Sequence, residues 1–446
     1  MEKKESYGLF TTIAMIVGIV IGSGIYFRAD DIFMYTNGNL ALGLFVLALG
    51  ASCIVFGSLT ISELSKRHLS SGGLVAYFEH FISEKMASGF GWFQLFVYLP
   101  AIAIVVGWAA AIYTFMLFDI EATLFMQVSL GLAYNLFFVL INTLSRSFGG
   151  LVQRFTTVIK LAPLVIIAVY GIFFAKPIDA SVLSNSSFLT EFSNYHWITA
   201  LVPLAFSYDG WVVALSIAPE VINQKKNMSR ALILSPLIIL AVYLAYIYGI
   251  ANILGTQQIL SIGDGAVFEA GKMILGDRNG NILLAVVVVS MLGVLNGVNL
   301  GTIRMPQALA EKKMIPDYGL SEIDPKKQLS IKSAIMVAVL EIIWASIHFM
   351  VMKLNLFNGR DVSEISIVFS YVSYIILYVL VFNILRKEGK KLKLIIPILA
   401  TLGSLTILMG SLITSPFYIS IFILICSSVM GAGYIYKSSV IAKHNV

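Results

Sequence analysis

The chain has 446 residues, of which 58% are apolar and 12% charged, where soluble domains carry about 45–50% and about 25%. Thirty Lys and Arg against 24 Asp and Glu give a net charge of +6, and mean hydropathy is +0.89. So few charges cannot cover a soluble surface, which excludes a soluble enzyme, a nucleic-acid binder or a secreted domain and implies an all-α polytopic membrane protein.

Cys53 and Cys426 both lie in apolar runs, so no disulfide framework or cysteine metal site is indicated. The opening MEKKESYG runs into an apolar segment without a small-residue cleavage pattern and reads as a retained tail. A membrane helix needs about 20 apolar residues. Twelve such spans follow, at residues 11–34, 40–62, 87–117, 122–142, 151–175, 197–220, 231–252, 281–306, 332–352, 364–385, 394–412 and 415–436. The third is long enough to require a strong tilt. The last two form a hairpin around Ser415 and Pro416, and the longest connections are 253–280 and 307–331.

With the N-terminus in the cytoplasm, 23 of the 30 Lys and Arg fall on the cytoplasmic side and six outside, while Lys160 lies within a span. That asymmetry places both termini in the cytoplasm of a multi-pass protein of the cell inner (plasma) membrane. The basic run Arg386–Lys393 reads as a positive-inside loop that also attracts anionic headgroups.

Span one reads IAMIVGIVIGSGIYFRADDIF, with Gly22, Ser23 and Gly24 near mid-depth. Taken alone, these residues allow two readings, close packing through small residues or local unwinding around a cavity. Span six favours the second. Its Tyr208-Asp209-Gly210 falls about eleven residues in, as the break in span one does. A charge at mid-membrane is costly and marks a pathway or a binding site. Interruptions at spans one and six, which run in opposite directions, point to two five-helix inverted repeats, 1–175 and 176–390, followed by the last two spans and tail, 391–446.

Where a helix unwinds, its second half begins with free N–H groups and a positive dipole end, and its first half ends with free carbonyls. Ser23, Gly24 and Ile25 can hold a carboxylate. The carbonyls of Val20, Ile21, Phe206 and Ser207 can hold an ammonium. A small zwitterion satisfies both sets, which suggests an α-amino acid.

At this point a family becomes visible. Gly22-Ser23-Gly24-Ile25 within IVGIVIGSGIYF resembles the first-helix signature of the amino acid–polyamine–organocation transporter superfamily. The stretch Ala205–Leu232 resembles its sixth helix, with Gly210-Trp211, Pro219-Glu220 and the loop Asn223–Arg230. The chain is most similar to bacterial relatives of the L-type amino acid transporters, over essentially its whole length. Two departures stand out. Met228-Ser229 replaces a usual proline region, and Tyr26-Phe27-Arg28-Ala29-Asp30 replaces the proline that usually follows the first motif.

The resemblance implies secondary transport by alternating access, with helices one and six rocking against a scaffold of three, four, eight and nine. It implies that Ser23 and Gly24 take the substrate carboxylate, that Val20, Ile21 and Phe206 lie near the amine, and that Phe206 doubles as a lid. Tyr98 lines the pocket wall or packs as an ordinary aromatic. Asp209 contacts a polar substrate side chain or bonds local backbone. Arg28 and Asp30 are expected to pair at the outer vestibule.

Lys160 sits nine residues into span five, about 13 Å deep. In sodium-independent members such a lysine reaches the carbonyls near Gly18 or Gly22, where a cation binds in sodium-coupled relatives; the other reading is a boundary lysine of a tilted helix. The first reading leaves exchange, proton symport or facilitated diffusion, with Lys160, Asp209 and Glu341 as groups that could titrate. Glu341 otherwise makes a structural or oligomer contact. Glu63 near Lys66 is expected to form a cytoplasmic latch, and Asn296, Gly297 and Asn299 to line the helix-one interface.

His68, His80, His196, His348 and His444 show no metal-ligand spacing, and no Gly-x-x-x-x-Gly-Lys loop occurs, so no metal, cofactor or ATP hydrolysis is expected. No heavy-chain partner is expected, because Phe118–Glu121 lacks the cysteine for a covalent link. The alternative substrate class is a polyamine or other organic amine. A non-transporting receptor and a channel are the readings from other classes.

Overall fold

The computed structural model describes residues 7–68, 73–144, 156, 159–175, 187–212, 215, 221–277, 279–325, 327, 329–356, 360–414 and 416–444. Among these, nine helical segments are long and apolar enough to cross a membrane: Leu40–Ser65, Glu84–Leu117, Leu124–Leu144, Gln224–Leu254, Gly280–Glu311, Ile331–Lys353, Ser363–Lys387, Lys391–Ile413 and Pro416–Lys443. They fall on spans two to four and seven to twelve of the sequence reading. Three shorter apolar helices, Leu9–Val20, Leu161–Phe173 and His196–Ser207, fall on spans one, five and six. Residues 151–155, 157–158, 213–214 and 216–220, which belong to spans five and six, lie outside the described residues.

The first span comprises α1 (Leu9–Val20), α2 (Ser23–Phe27) and α3 (Ala29–Tyr35). Then come α4 (Leu40–Ser65), α5 (Gly73–Phe81) and α6 (Glu84–Phe93), which runs through a π-turn at Gln94–Tyr98 into α7 (Leu99–Leu117). After α8 (Leu124–Leu144) and α9 (Leu161–Phe173), α10 (Phe188–Ser193) and a 3-10 turn precede α11 (Leu201–Ser207). Next are α12 (Gln224–Leu254), α13 (Thr256–Ile262), α14 (Ala266–Leu275), α15 (Gly280–Thr302) and α16 (Arg304–Glu311). The chain closes with α17 (Ile331–Lys353), α18 (Ser363–Lys387), α19 (Ile395–Thr414) and α20 (Pro416–His444).

Local chemistry sets several of these boundaries. Asn39 Oδ1 caps α4 by accepting from Leu42 N at 2.9 Å, and Ser83 Oγ caps α6 by accepting from Met86 N at 3.2 Å. The 34 residues of Glu84–Leu117 make a helix about 50 Å long, well beyond the about 30 Å hydrocarbon core. The π-turn inside it frees the Phe96 carbonyl, which accepts from Trp344 Nε1 at 2.8 Å.

The span containing α7 is 89% buried and α20 only 17%, so α7 lies at the centre and α20 at the edge. Both α7 and α8 pack on α15 and on α17, whereas α1, α4 and α9 pack on α12. Asparagines clamp α8 to α15: Asn142 Nδ2 donates to Asn296 Oδ1 at 3.0 Å, and Asn299 Nδ2 donates to Asn135 Oδ1 at 3.2 Å. The described residues therefore form an all-α polytopic membrane protein.

Candidate functional site

The hydrogen-bond ladder of α1 ends where Ile21 N donates to Val17 O at 2.8 Å. Ile21 is extended (φ −71°, ψ 114°), Gly22 leaves helical geometry altogether (φ −169°, ψ −135°), and α2 begins at Ser23. In the sixth span α11 stops at Ser207, Tyr208 turns (φ −99°, ψ 0°), and Gly210 adopts φ +96°.

The two interruptions face each other. A Cβ on Gly24 would lie 2.6 Å from Ser207 Cα, and one on Gly210 would lie 2.9 Å from Ile19 Cγ2. Glycine at 24 is therefore a requirement of backbone approach, and at 210 of both approach and positive φ. Val20, Ile21, Gly22, Gly24, Ile25, Phe206, Ser207 and Tyr208 are buried around this meeting point, while Asp209 and Gly210 are half-buried. The side chains of Ser23 and Phe27 lie outside the described residues.

Tyr98, at the end of the π-turn, donates its hydroxyl to Asp209 Oδ2 at 2.5 Å. Its ring is thus tied to the sixth-span break by a charge-assisted bond as well as by packing. The Phe206 carbonyl accepts from Asp209 N at 3.1 Å and the Ser207 carbonyl from Tyr243 O–H at 2.8 Å. Each keeps a second lone pair. Lys160 is buried, and its ammonium donates to Gly18 O at 2.9 Å, while Tyr26 O–H donates to Lys160 O at 3.1 Å. The fifth span is thereby bonded to both sides of the break in span one.

Above the break, Arg28 forms a buried ion pair with Asp361 and a part-buried one with Asp31 at 3.2 Å, and its guanidinium lies 5.1 Å over the Phe206 ring. The sequence reading paired Arg28 with Asp30. Asp31 takes that place because it stands three residues on, on the same helical face, whereas Asp30 points elsewhere. Arg360 continues the cluster to Glu364 at 3.1 Å and Tyr35 Oη at 3.0 Å. Burial pushes the Asp361 carboxyl up, but Arg28 and the Ser363 donors outweigh it and hold the group below the usual carboxylate range. Asp264, in the turn before α14, is raised to about 7 by burial and, further, by Asp30 and Asp31.

At the end of α4 Glu63 accepts from Lys66 at 2.9 Å, Arg67 at 2.8 Å and Lys393 at 3.4 Å. Arg67 also meets Glu388 at 2.8 Å, which links the end of α4 to the loop ahead of α19. His68 and His80, which no spacing connected, stack with ring centroids 3.7 Å apart. Asn296 and Asn299 bond to α8. Glu341 is fully buried, which removes it from any subunit surface.

The sequence reading passed over the aromatic wall of α18. Tyr371 and Tyr374 lie 5.5 Å apart by ring centroid, and Tyr374 packs at 6.1 Å on Trp211, two residues beyond Asp209. The Tyr374 hydroxyl is buried with no hydrogen-bond partner among the described residues. Its signal was present: Ser366, Ser370, Tyr374 and Tyr378 recur at four-residue spacing in an otherwise apolar span.

A family model described as amino acid permease matches residues 7–425. The chain is similar to the serine/threonine exchanger SteT of Bacillus subtilis (strain 168), with 30% identity over 435 residues, 95% of this chain and 94% of that protein. It is also similar to the human b(0,+)-type amino acid transporter 1, with 24% identity over 93% of this chain and 84% of the other. The human cystine/glutamate transporter shares 24% identity over 77% of this chain and 68% of its own length.

Proposed function

This chain belongs to the amino acid permease family, within the amino acid–polyamine–organocation superfamily, and is a transporter and not an enzyme; from that premise we propose that it is a sodium-independent secondary transporter of L-amino acids working by alternating access. The observation that carries the reading is the pair of facing breaks, with Gly24 on Ser207 and Gly210 on Ile19. N–H groups that begin one half-helix and carbonyls with a spare lone pair that end the other meet there.

In this reading twelve spans form inverted repeats over 1–175 and 176–390, with two further spans and the tail in 391–446, and both termini are cytoplasmic in the plasma membrane. The N–H groups of Ser23, Gly24 and Ile25 take the α-carboxylate. The carbonyls of Val20, Ile21, Phe206 and Ser207 take the ammonium, with Gly22 as the joint between the two sets. Tyr98, Tyr208, Asp209 and Gly210 surround the side-chain end, and Phe206 lies as a lid beneath Arg28. The Lys160 ammonium on the Gly18 carbonyl supplies a fixed positive charge beside α1, which makes a sodium ion there unnecessary. No heavy-chain partner is required.

Serine and threonine, the substrates in the name of SteT, are the first ligands to try, because Asp209 and Tyr98 offer acceptors to a hydroxyl. The test is counterflow in proteoliposomes loaded with unlabelled amino acids, with labelled single amino acids offered outside. Accumulation of one side-chain class, unchanged when sodium is removed, is the expected result. No accumulation of any amino acid refutes the proposal, and uptake of polyamines alone turns it to the organic-amine reading.

A further inference from the structure

Glu341 is the eleventh of the 23 residues of α17, about 15 Å along the helix and so near mid-membrane. It is fully buried, and neither carboxylate oxygen has a hydrogen-bond partner among the described residues. Two helical turns further along the same face lies His348, also fully buried, with both ring nitrogens unpartnered and its ring 4.7 Å from Trp108. Packed against α17 are α7, α8, α16 and the π-turn, where Trp344 meets the Phe96 carbonyl and whose titratable Tyr98 is bonded to Asp209; at the outer end His348 lies within electrostatic reach of the Arg28–Asp361 ion pair.

Neither α7 nor α8 contains an Asp, Glu, Lys, Arg or His. Their titratable groups are Tyr113 and Tyr134, whose hydroxyls donate to Tyr26 O and Thr114 Oγ1, both at 3.1 Å. Arg304 and Glu311 of α16 belong to the cytoplasmic end, where Ser330 N donates to Gln307 Oε1 at 3.3 Å. On α17 itself, Lys332 pairs with Glu322 at 3.1 Å, and Lys353 lies 5.6 Å over the Phe349 ring. No described cation faces Glu341.

An ionised carboxylate in that position would carry a penalty of several kcal/mol with nothing to offset it. A neutral, protonated carboxyl carries no such penalty. Even the neutral acid leaves polar atoms unsatisfied, so leucine or methionine would serve packing better. We propose that Glu341 is a proton-binding site of the transport cycle, with His348 marking its route toward the outer face. This rests on the transport reading above. The site takes up a proton from water on one side, forming the carboxyl O–H, and gives it to water on the other as the rocking of spans one and six opens the scaffold of α7, α8 and α17 first to one side and then to the other. No electrons are transferred. The chain is then a proton-coupled permease, and the proton travels in the scaffold at a distance from the substrate.

The test compares wild type, Glu341→Gln and Glu341→Asp in proteoliposomes with a pH-sensitive dye in the lumen. Driven by an inward amino acid gradient, wild type acidifies the lumen. E341Q keeps counterflow but loses the acidification, and E341D, which can still titrate, restores part of it. Acidification by E341Q equal to wild type, or none by wild type while counterflow proceeds, overturns the site. Absence of counterflow in every variant instead removes the transport reading. A difference infrared spectrum of wild type against E341Q needs no transport. Loss of a protonated-carboxyl stretch in E341Q supports the site, and an unchanged carboxyl region overturns it.

Discussion

Replacing Gly24 by alanine tests the central contact of the fold. The added Cβ would sit 2.6 Å from Ser207 Cα, whereas ordinary carbon contacts begin at about 3.5 Å. Because the obstructing atom is backbone, no rotamer change relieves the clash, and α2 and α11 must separate by about 1 Å. Overpacking of this kind costs about 1–3 kcal/mol, which is roughly 5- to 150-fold in any step that needs the two half-helices in contact. Initial rates of counterflow are expected to fall by that range in Gly24→Ala. The matched control is Gly301→Ala, where an added Cβ meets nothing within 4 Å, so exchange stays at the wild-type level. A folded G24A that exchanges like wild type refutes the reasoning. So does a G301A as impaired as G24A, since the loss would then follow from removing any glycine.

Three further outcomes are expected. Lys160→Met removes a buried charge-assisted bond worth about 1.5–3 kcal/mol, so exchange should drop at least about tenfold with or without sodium; an unchanged rate would show that the ammonium on Gly18 plays no part. Asp361→Asn breaks a buried ion pair and should lower stability by about 3 kcal/mol, read as a lower unfolding temperature in detergent, while an unshifted transition would show that Asp31 alone satisfies Arg28. Asp264 carries a pKa of about 7 in the fold against 3.8 when free, so the folded state binds the extra proton and stability falls as pH rises between those values. Asp264→Asn should flatten thermal stability across that window, and equal pH profiles would contradict the assignment.

The all-α polytopic class was readable because runs of about 20 apolar residues are a direct consequence of the bilayer. Connection 253–280 was harder. It contains α13 and α14, of 7 and 10 residues, too short for a strong periodic signal and bounded by Gly255, Gly263 and Gly276 at positive φ. The two breaks were legible because Gly22, Gly24, Asp209 and Gly210 are each costly in an apolar helix. What presses on them was not. The packing of Val294 on Gly22, where an added Cβ would strike the valine side chain, or of Tyr98 on Asp209, depends on which face each helix turns inward, and a span apolar all round does not encode its rotation. The exchange of Asp30 for Asp31 is the same problem at one-residue scale. In α18 the four-residue stripe of serines and tyrosines did encode its facing.

The asparagine clamp between α8 and α15 bears on how the protein is made. Asn142 is 154 residues ahead of Asn296, and Asn135 is 164 ahead of Asn299. At about 5–20 residues per second of synthesis, the fourth helix waits roughly 10–30 s before its partner exists. During that interval the Asn135 amide oxygen, at mid-helix, must borrow a donor, from the translocation channel, from trapped water or from a chaperone, because hydrocarbon offers none. The fourth helix is therefore a nascent segment that biogenesis has to shelter until the eighth arrives.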